Sequence, residues 1–200
     1  MRVLVACEES QAVCKAFRKR GFEAYSCDIQ ECSGGHPEWH IHDDVLKHLN
    51  DNWDLIIAHP PCTHLSVSGQ RWFTEGWKPY SLQREAIAFF YKFVMADCKH
   101  IAIENPVCIM SSAYRKPDQT IQPYMFGHPE RKATCLWLKN LPLLKETNNV
   151  YDYMMTLPEK QRNRILWMGS NHSKERSKTF LGIAEAMAIQ WGDYLKGENK

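Results

Sequence analysis

Along its first half the chain alternates short apolar runs with stretches of helical periodicity, each divided by polar punctuation. Residues 2–7 (RVLVAC) form a β-branched run that breaks at Glu8. In 10–22 (SQAVCKAFRKRGF), Val13, Ala16 and Phe17 recur at helical spacing until Gly21 ends the helix. The pattern then predicts a strand at 23–29 (EAYSCDI), a short helix at 43–49 (DDVLKHL) opened by an Asp cap, and a strand at 53–59 (WDLIIAH). A longer helix is predicted over 81–97, with Leu82, Ala86, Ile87, Phe90, Phe93 and Val94 on one face, and a further strand over 99–105 (KHIAIEN). Beyond residue 106 the pattern weakens: 115–133 reads as loop, 134–138 (TCLWL) as a strand and 179–195 as a last helix.

This alternation predicts parallel strands joined by right-handed crossovers, an α/β fold with a mostly parallel sheet and helices on both faces. The 200 residues contain no Ser/Gly-rich or Pro-rich linker, no long charge block and no repeat, so 1–200 is expected to be a single domain. Open α/β sheets bind ligands outside the carboxyl ends of their strands. Those ends carry Cys7-Glu8-Glu9, Cys27-Asp28, His59-Pro60-Pro61-Cys62 and Glu104-Asn105-Pro106.

Charge changes little: 25 Lys+Arg against 23 Asp+Glu gives +2, which neither demands nor excludes a polyanionic partner. The eight cysteines would suit a secreted disulfide framework, but Glu8 and Glu9 come too early for a signal peptide, so reduced thiols and a cytoplasmic location are expected. No stretch reaches the roughly 18–20 apolar residues of a membrane span, so no membrane partner is expected.

Two successive prolines fix φ and remove two backbone donors, so Pro60-Pro61 ends a strand in a rigid extended turn. The side chain that follows is aimed with little freedom. Cys62 there is either a small buried hydrophobe or a nucleophile in need of an acid or base. Glu104, at the end of the next apolar strand, supplies that partner, or else caps backbone or pairs with Arg71 or Arg115. His59 and His64 flank the thiol and are placed to shape its pocket or lower its pKa. Cys27, Cys32, His36, His40 and His42 are zinc-type ligands, but their spacings fit no zinc template and no metal is expected. Arg71 with Trp72, Phe73 and Trp77, and Arg115 with Lys116, combine groups that hold phosphates and stack bases.

DLIIAHPPCTHLS (54–66) and HIAIENP (100–106) resemble the Pro-Cys and Glu-Asn motifs of the cytosine-5 DNA methyltransferases, in the same order and separated by one helix. The resemblance is to a short phage- and prophage-type branch that lacks a large target-recognition domain, and it extends over most of the chain. It implies a Rossmann-like, S-adenosylmethionine-dependent fold and methyl transfer to carbon 5 of a cytosine in DNA, flipped from a duplex or single-stranded. Cys62 would add to carbon 6 of the ring, and Glu104 would offset the developing charge at ring nitrogen 3.

The same resemblance lays S-adenosylmethionine over the first strand ends, against Cys7, Glu8, Asp28, Asp44 and Pro60. Asp28 stands where an acid meets the ribose in dinucleotide folds, and Asp44 resembles the family's acid at the adenine amino group. Helix N-capping is the competing role for Asp43 and Asp44. The chain carries ACEESQAV where the family's first loop is rich in glycine. Arg131, followed by Lys132, lies where the family has an Arg-x-Arg motif, and 177–188 resembles the last family motif, which returns to the donor.

Only 141–168 separates TCLWL from that last motif, which implies relaxed or short-site specificity, or a protein partner that supplies recognition. The implied setting is the cytoplasm of a bacterium or phage-infected host. Two alternatives stay open: methylation of cytosine in RNA or a free nucleotide, and a non-catalytic phage protein that binds nucleic acid or S-adenosylmethionine. Exocyclic amino methylation fits less well, because Cys62 stands where such enzymes place an aromatic residue.

Overall fold

Strand β1 (Arg2–Ala6) turns Val3 and Val5 to one face of a sheet and Leu4 and Ala6 to the other, all four fully buried. A strand with no polar position must be covered on both sides, as parallel strands at the centre of α/β proteins are. Its neighbours repeat the pattern. In β4 (Leu55–Ala58), Leu55 and Ile57 join Val3 and Val5, while Ile56 and Ala58 join Leu4.

The computed structural model describes residues 1–198. Strands β2 (Glu23–Asp28), β3 (His40–His42), β5 (Ile101–Pro106), β6 (Gln119–Ile121) and β7 (Thr134–Lys139) complete a seven-stranded sheet of order β3-β2-β1-β4-β5-β7-β6. β1 to β5 pair in parallel, whereas β7 is antiparallel to both β5 and β6.

Helices α1 (Ala12–Lys19) and α3 (Leu181–Glu198) cover one face, where Phe17, Met187 and Trp191 are fully buried. Helix α2 (Tyr80–Val94) covers the other with Phe90 and Phe93, and Trp137 meets Phe90 edge-on at 5.3 Å. Each such side chain contributes about 1.5–3 kcal/mol by leaving water. Trp191 and Trp137 also satisfy their indole N–H groups, donating to the carbonyls of Pro142 and Arg115 at 2.9 and 2.8 Å. Gly21, at φ 81°, closes α1: the amide of Gly21 donates to the Arg18 carbonyl and that of Phe22 to the Phe17 carbonyl, a Schellman turn.

The predicted alternation is realised in β1-α1-β2 and β4-α2-β5, and it fails between β2 and β4. No α-helix spans that stretch. β3 occupies residues for which the apolar pattern predicts no element, and 43–49 holds only a 3-10 turn, Val45–Lys47. The cause is local: His40 and His42 are tied by their rings to the backbone carbonyls of Gln30 and Ile29, at 2.8 and 3.0 Å, which pins a short edge strand that periodicity does not reveal. The segment 115–133 likewise contains β6. Among the described residues, no helix is long and apolar enough to cross a membrane.

The chain runs outward from β1 to β2 and β3, then returns to β4 on β1's other side. The switch point, where open α/β sheets bind ligands, therefore lies beyond the ends of β1 and β4.

Candidate active site

Cys62 is held from both directions. Before it, the His59 amide donates to the Ala6 carbonyl at 2.9 Å, and the buried Pro60 gives its carbonyl to the Asn105 side-chain amide at 2.7 Å. After it, the Cys62 carbonyl accepts from the amides of Leu65 and Ser66 at 3.0 and 2.9 Å, forming a tight turn. Leu65 is fully buried, and its carbonyl accepts from the Ile109 amide at 2.9 Å. The loop after β4 is thus laced to β5 before the cysteine and to the segment after β5 beyond it.

All eight cysteines lie among the described residues, and Cys62 alone is exposed. Partial enclosure by the surrounding loops raises its thiol pKa, and the Glu104 carboxylate adds to the rise. Its backbone hydrogen bonding and the positive charges of Lys132 and Arg176 work the other way. Burial pushes the thiols of Cys14 and Cys27 up to about 12, so neither is a nucleophile at neutral pH.

Glu104 lies in β5 just past the last residue paired with β4, opposite Leu136 of β7. Its partner is His59, with Nδ1 2.8 Å from Oε2, and not Arg71 or Arg115. The side chains are 13% and 12% exposed. Thr179, just before α3, donates from Oγ1 to the same Oε2 at 3.4 Å, so Oε1 carries neither contact. Burial disfavours charge on Glu104, yet His59, Lys132 and Thr179 outweigh it and hold the carboxyl below the ordinary glutamate range. Burial likewise opposes charge on His59, and Glu104 and Glu8 outweigh it, raising its pKa.

The expected cofactor residues surround the end of β1. Cys7 takes a left-handed backbone at φ 59°, as does Gln11 at φ 58°, so this loop makes its sharp turns without glycine. Buried Glu8 accepts from the amides of Val13 and Cys14 at 2.7 and 3.1 Å, which spends its carboxyl on the start of α1. Burial lifts its pKa to about 7. Glu9 is different. It is buried, neither carboxyl oxygen has a hydrogen-bond partner, and the nearest cation, the Lys174 ammonium, is 3.7 Å away. The sequence places Glu9 at this strand end with Cys7 and Glu8 but gives it no part in cofactor binding. Asp28 ends β2 and accepts from the Gln30 amide at 2.9 Å. Asp44 accepts from the Leu46 amide at 3.0 Å, so its N-capping role is realised.

The three arginines have different local partners. Arg115 pairs with Asp118 at 2.8 Å and donates to the Leu138 carbonyl at 3.0 Å, toward the amino-terminal end of β5. Arg131 turns to the Met155 sulfur at 3.3 Å. Arg71 is exposed on a short helix, Arg71–Thr74, its guanidinium 4.6 Å from the centre of the Trp72 ring. Of the neighbouring aromatics, Phe73 is buried and Trp77 is 71% exposed. Lys132, beside Arg131, and Arg176 are cations whose charges favour the Cys62 thiolate. Lys132 also donates to the Lys178 carbonyl at 3.3 Å, fastening the segment before α3 to the site.

No protein-family model and no curated protein matches the sequence. Among solved structures, the Entamoeba histolytica methyltransferase EhMeth is similar at a TM-score of 0.52 and 16% identity, over 74% of this chain and 57% of that one. A prophage-encoded Escherichia coli protein described as a DNA modification methyltransferase gives a TM-score of 0.47 and 16% identity, over 69% of this chain and 46% of its own. An Escherichia coli rRNA methylase gives 0.38 and 15%, over 69% and 56%. The chain spans about half the length of these structures. The likeness to EhMeth is one of fold, and together with the strand order it makes the chain an α/β protein with a Rossmann-like, mostly parallel sheet.

Proposed function

We propose that the chain is an S-adenosylmethionine-dependent methyltransferase acting on carbon 5 of cytosine in DNA. The observation that carries this reading is the lacing of the Pro60-Pro61-Cys62 turn to Glu104-Asn105, which brings one exposed thiol within the field of one half-buried, ionised carboxyl. Carbon 5 of cytosine is a weak nucleophile. Bonding of the Cys62 sulfur to carbon 6 makes it enamine-like, and Glu104, once it carries a proton, offsets the negative charge that reaches ring nitrogen 3. When bound, S-adenosylmethionine supplies an electrophilic methyl group on sulfonium.

The residues at the first strand ends fit that donor. Glu9 offers a buried carboxyl with no hydrogen-bond donor and only the Lys174 ammonium at 3.7 Å, which suits an incoming ammonium. Asp28 offers acceptors for ribose hydroxyls and Asp44 for an adenine amino group, while Cys7, Glu8 and Pro60 shape the floor. Lys132 and Arg176 near the thiol, with Lys160 and Arg162 on the segment before α3, suit a polyanionic substrate. The base reaches Cys62 only when out of the stack.

The test is transfer of labelled methyl to cytosine in duplex and single-stranded DNA, with RNA and nucleotides alongside. The expected product is 5-methylcytosine in DNA, absent with Cys62→Ser. Transfer that persists in Cys62→Ser, or lands on the exocyclic amine, overturns the covalent reading. Transfer to RNA or free nucleotide alone overturns DNA as substrate.

A further inference from the structure

The ionised Glu104 poses a difficulty for its own role. A carboxylate without a proton offsets no charge at ring nitrogen 3; the proton must come from somewhere. Within reach stands His59, its Nδ1 2.8 Å from Glu104 Oε2, which as an acceptor requires hydrogen on that nitrogen. The second ring nitrogen, Nε2, is buried with no hydrogen-bond partner. The titratable and charged groups facing the ring are Glu104 from β5, Glu8, itself partly protonated near neutral pH, from the loop after β1, and Lys132 from the segment before β7. Two acids and one base around a buried imidazole favour holding a proton there. The backbone fixes its position, since the His59 amide is bonded to β1 through Ala6.

We propose that His59 stores the proton that Glu104 delivers to cytosine, so that the two side chains work as one acid. This rests on the cytosine reading above. The step begins with the Cys62 thiolate, whose proton has gone to water, and with His59 as imidazolium. The proton leaves His59 Nδ1 for the Glu104 carboxylate, and passes from Glu104 to ring nitrogen 3 as the sulfur bonds to carbon 6. The imidazolium's positive charge cancels the negative charge brought by the thiolate, which leaves a neutral adduct and a neutral histidine. Once carbon 5 has gained its methyl group and given up its own proton to water, the sulfur–carbon bond breaks, Cys62 leaves as thiolate, and the proton returns from nitrogen 3 to Glu104 and then to His59. His59 touches no substrate atom; it acts through Glu104.

The test compares methyl transfer by wild type and His59→Gln across pH. Glutamine keeps a donor to Glu104 and holds no exchangeable charge. The expected result is a kcat lower by about 10²–10⁴-fold with KM little changed. The wild-type profile should be bell-shaped, and the variant should lose the descending limb because only the thiolate then limits it. Imidazole added to His59→Gly should restore part of the rate. An active wild type with His59→Gln within threefold and an unaltered profile overturns the proposal and leaves the cytosine reading intact. A wild type with no transfer to any cytosine overturns that reading and this step with it. Should the variants fail to fold, the ¹⁵N imidazole resonances of the wild type decide: His59 must titrate above the ordinary value of about 6.5, and a ring neutral below it overturns the proposal.

Discussion

The side-chain amide of Asn105 donates to the carbonyl of Pro60 at 2.7 Å, across two strands that lie side by side in the sheet. Both partners are buried, so the bond serves as a brace between the turn that aims Cys62 and the strand that carries Glu104. Asn105→Ala leaves the Pro60 carbonyl without its donor, at a cost of about 1–3 kcal/mol. Denaturant titration should show that loss, and kcat should fall by at least tenfold as the thiol and carboxyl lose their fixed separation. Asn105→Asp should be worse in both respects, because a carboxylate would then face a carbonyl oxygen.

Lys132 sits where its charge favours the Cys62 thiolate, against the enclosure that raises the thiol pKa. Lys132→Ala should push that pKa higher still, and only thiolate is alkylated. Iodoacetamide labelling at pH 8, followed on the Cys62 peptide, should slow several-fold. An unchanged rate would remove Lys132 from the thiol's surroundings.

Glu8 gives a pH signature. Its folded pKa is about 7 against an ordinary 4.5, so the folded state binds the proton more tightly than the unfolded chain. Its contribution is complete below the unfolded value and is lost as pH rises through the folded one. The stability of wild type relative to Glu8→Gln should therefore decline between pH 4.5 and about 7, by an amount on the order of 3 kcal/mol. Glutamine also disturbs the two amides that Glu8 accepts, so the slope is the test and the offset is not. Parallel stability curves across that window would place the titration elsewhere.

The parts legible in the sequence are those fixed by neighbours along the chain. β1, α1, β4, α2 and β5 follow from local periodicity, and Pro60-Pro61-Cys62 and Glu104 stand out as reactive groups at the ends of apolar runs. What was not legible depends on residues far apart. The bond from His59 to Glu104 spans two strands, and the difference between Arg131 and Lys132 is one residue of loop geometry. Edge strand β3 is held by histidine rings on backbone carbonyls, an arrangement that hydrophobic patterning does not record. The antiparallel pairing of β7 also lies beyond any alternation rule, since TCLWL reads alike in either direction.

The last helix is tied to the site by a close approach at Gly182. A side-chain carbon there would stand 1.9 Å from the Phe126 carbonyl oxygen, while the Gly182 amide donates to His128 Nε2 at 3.0 Å. Backbone cannot swing aside as a flexible side chain does, so Gly182→Ala forces the start of α3 away from the sheet, at a cost of about 1–3 kcal/mol or more. The displacement carries Thr179 with it, three residues earlier, and Thr179 is the second donor on Glu104 Oε2. Gly182→Ala should therefore lower both melting temperature and kcat, although residue 182 touches neither Cys62 nor Glu104. Gly197, near the other end of the same helix, meets nothing within 4 Å. Gly197→Ala removes only the entropy cost of glycine in a helix and should stabilise by up to about 1 kcal/mol, with kcat unchanged. If the two variants behaved alike, the contact at Phe126 would not be what seats α3 against the candidate site.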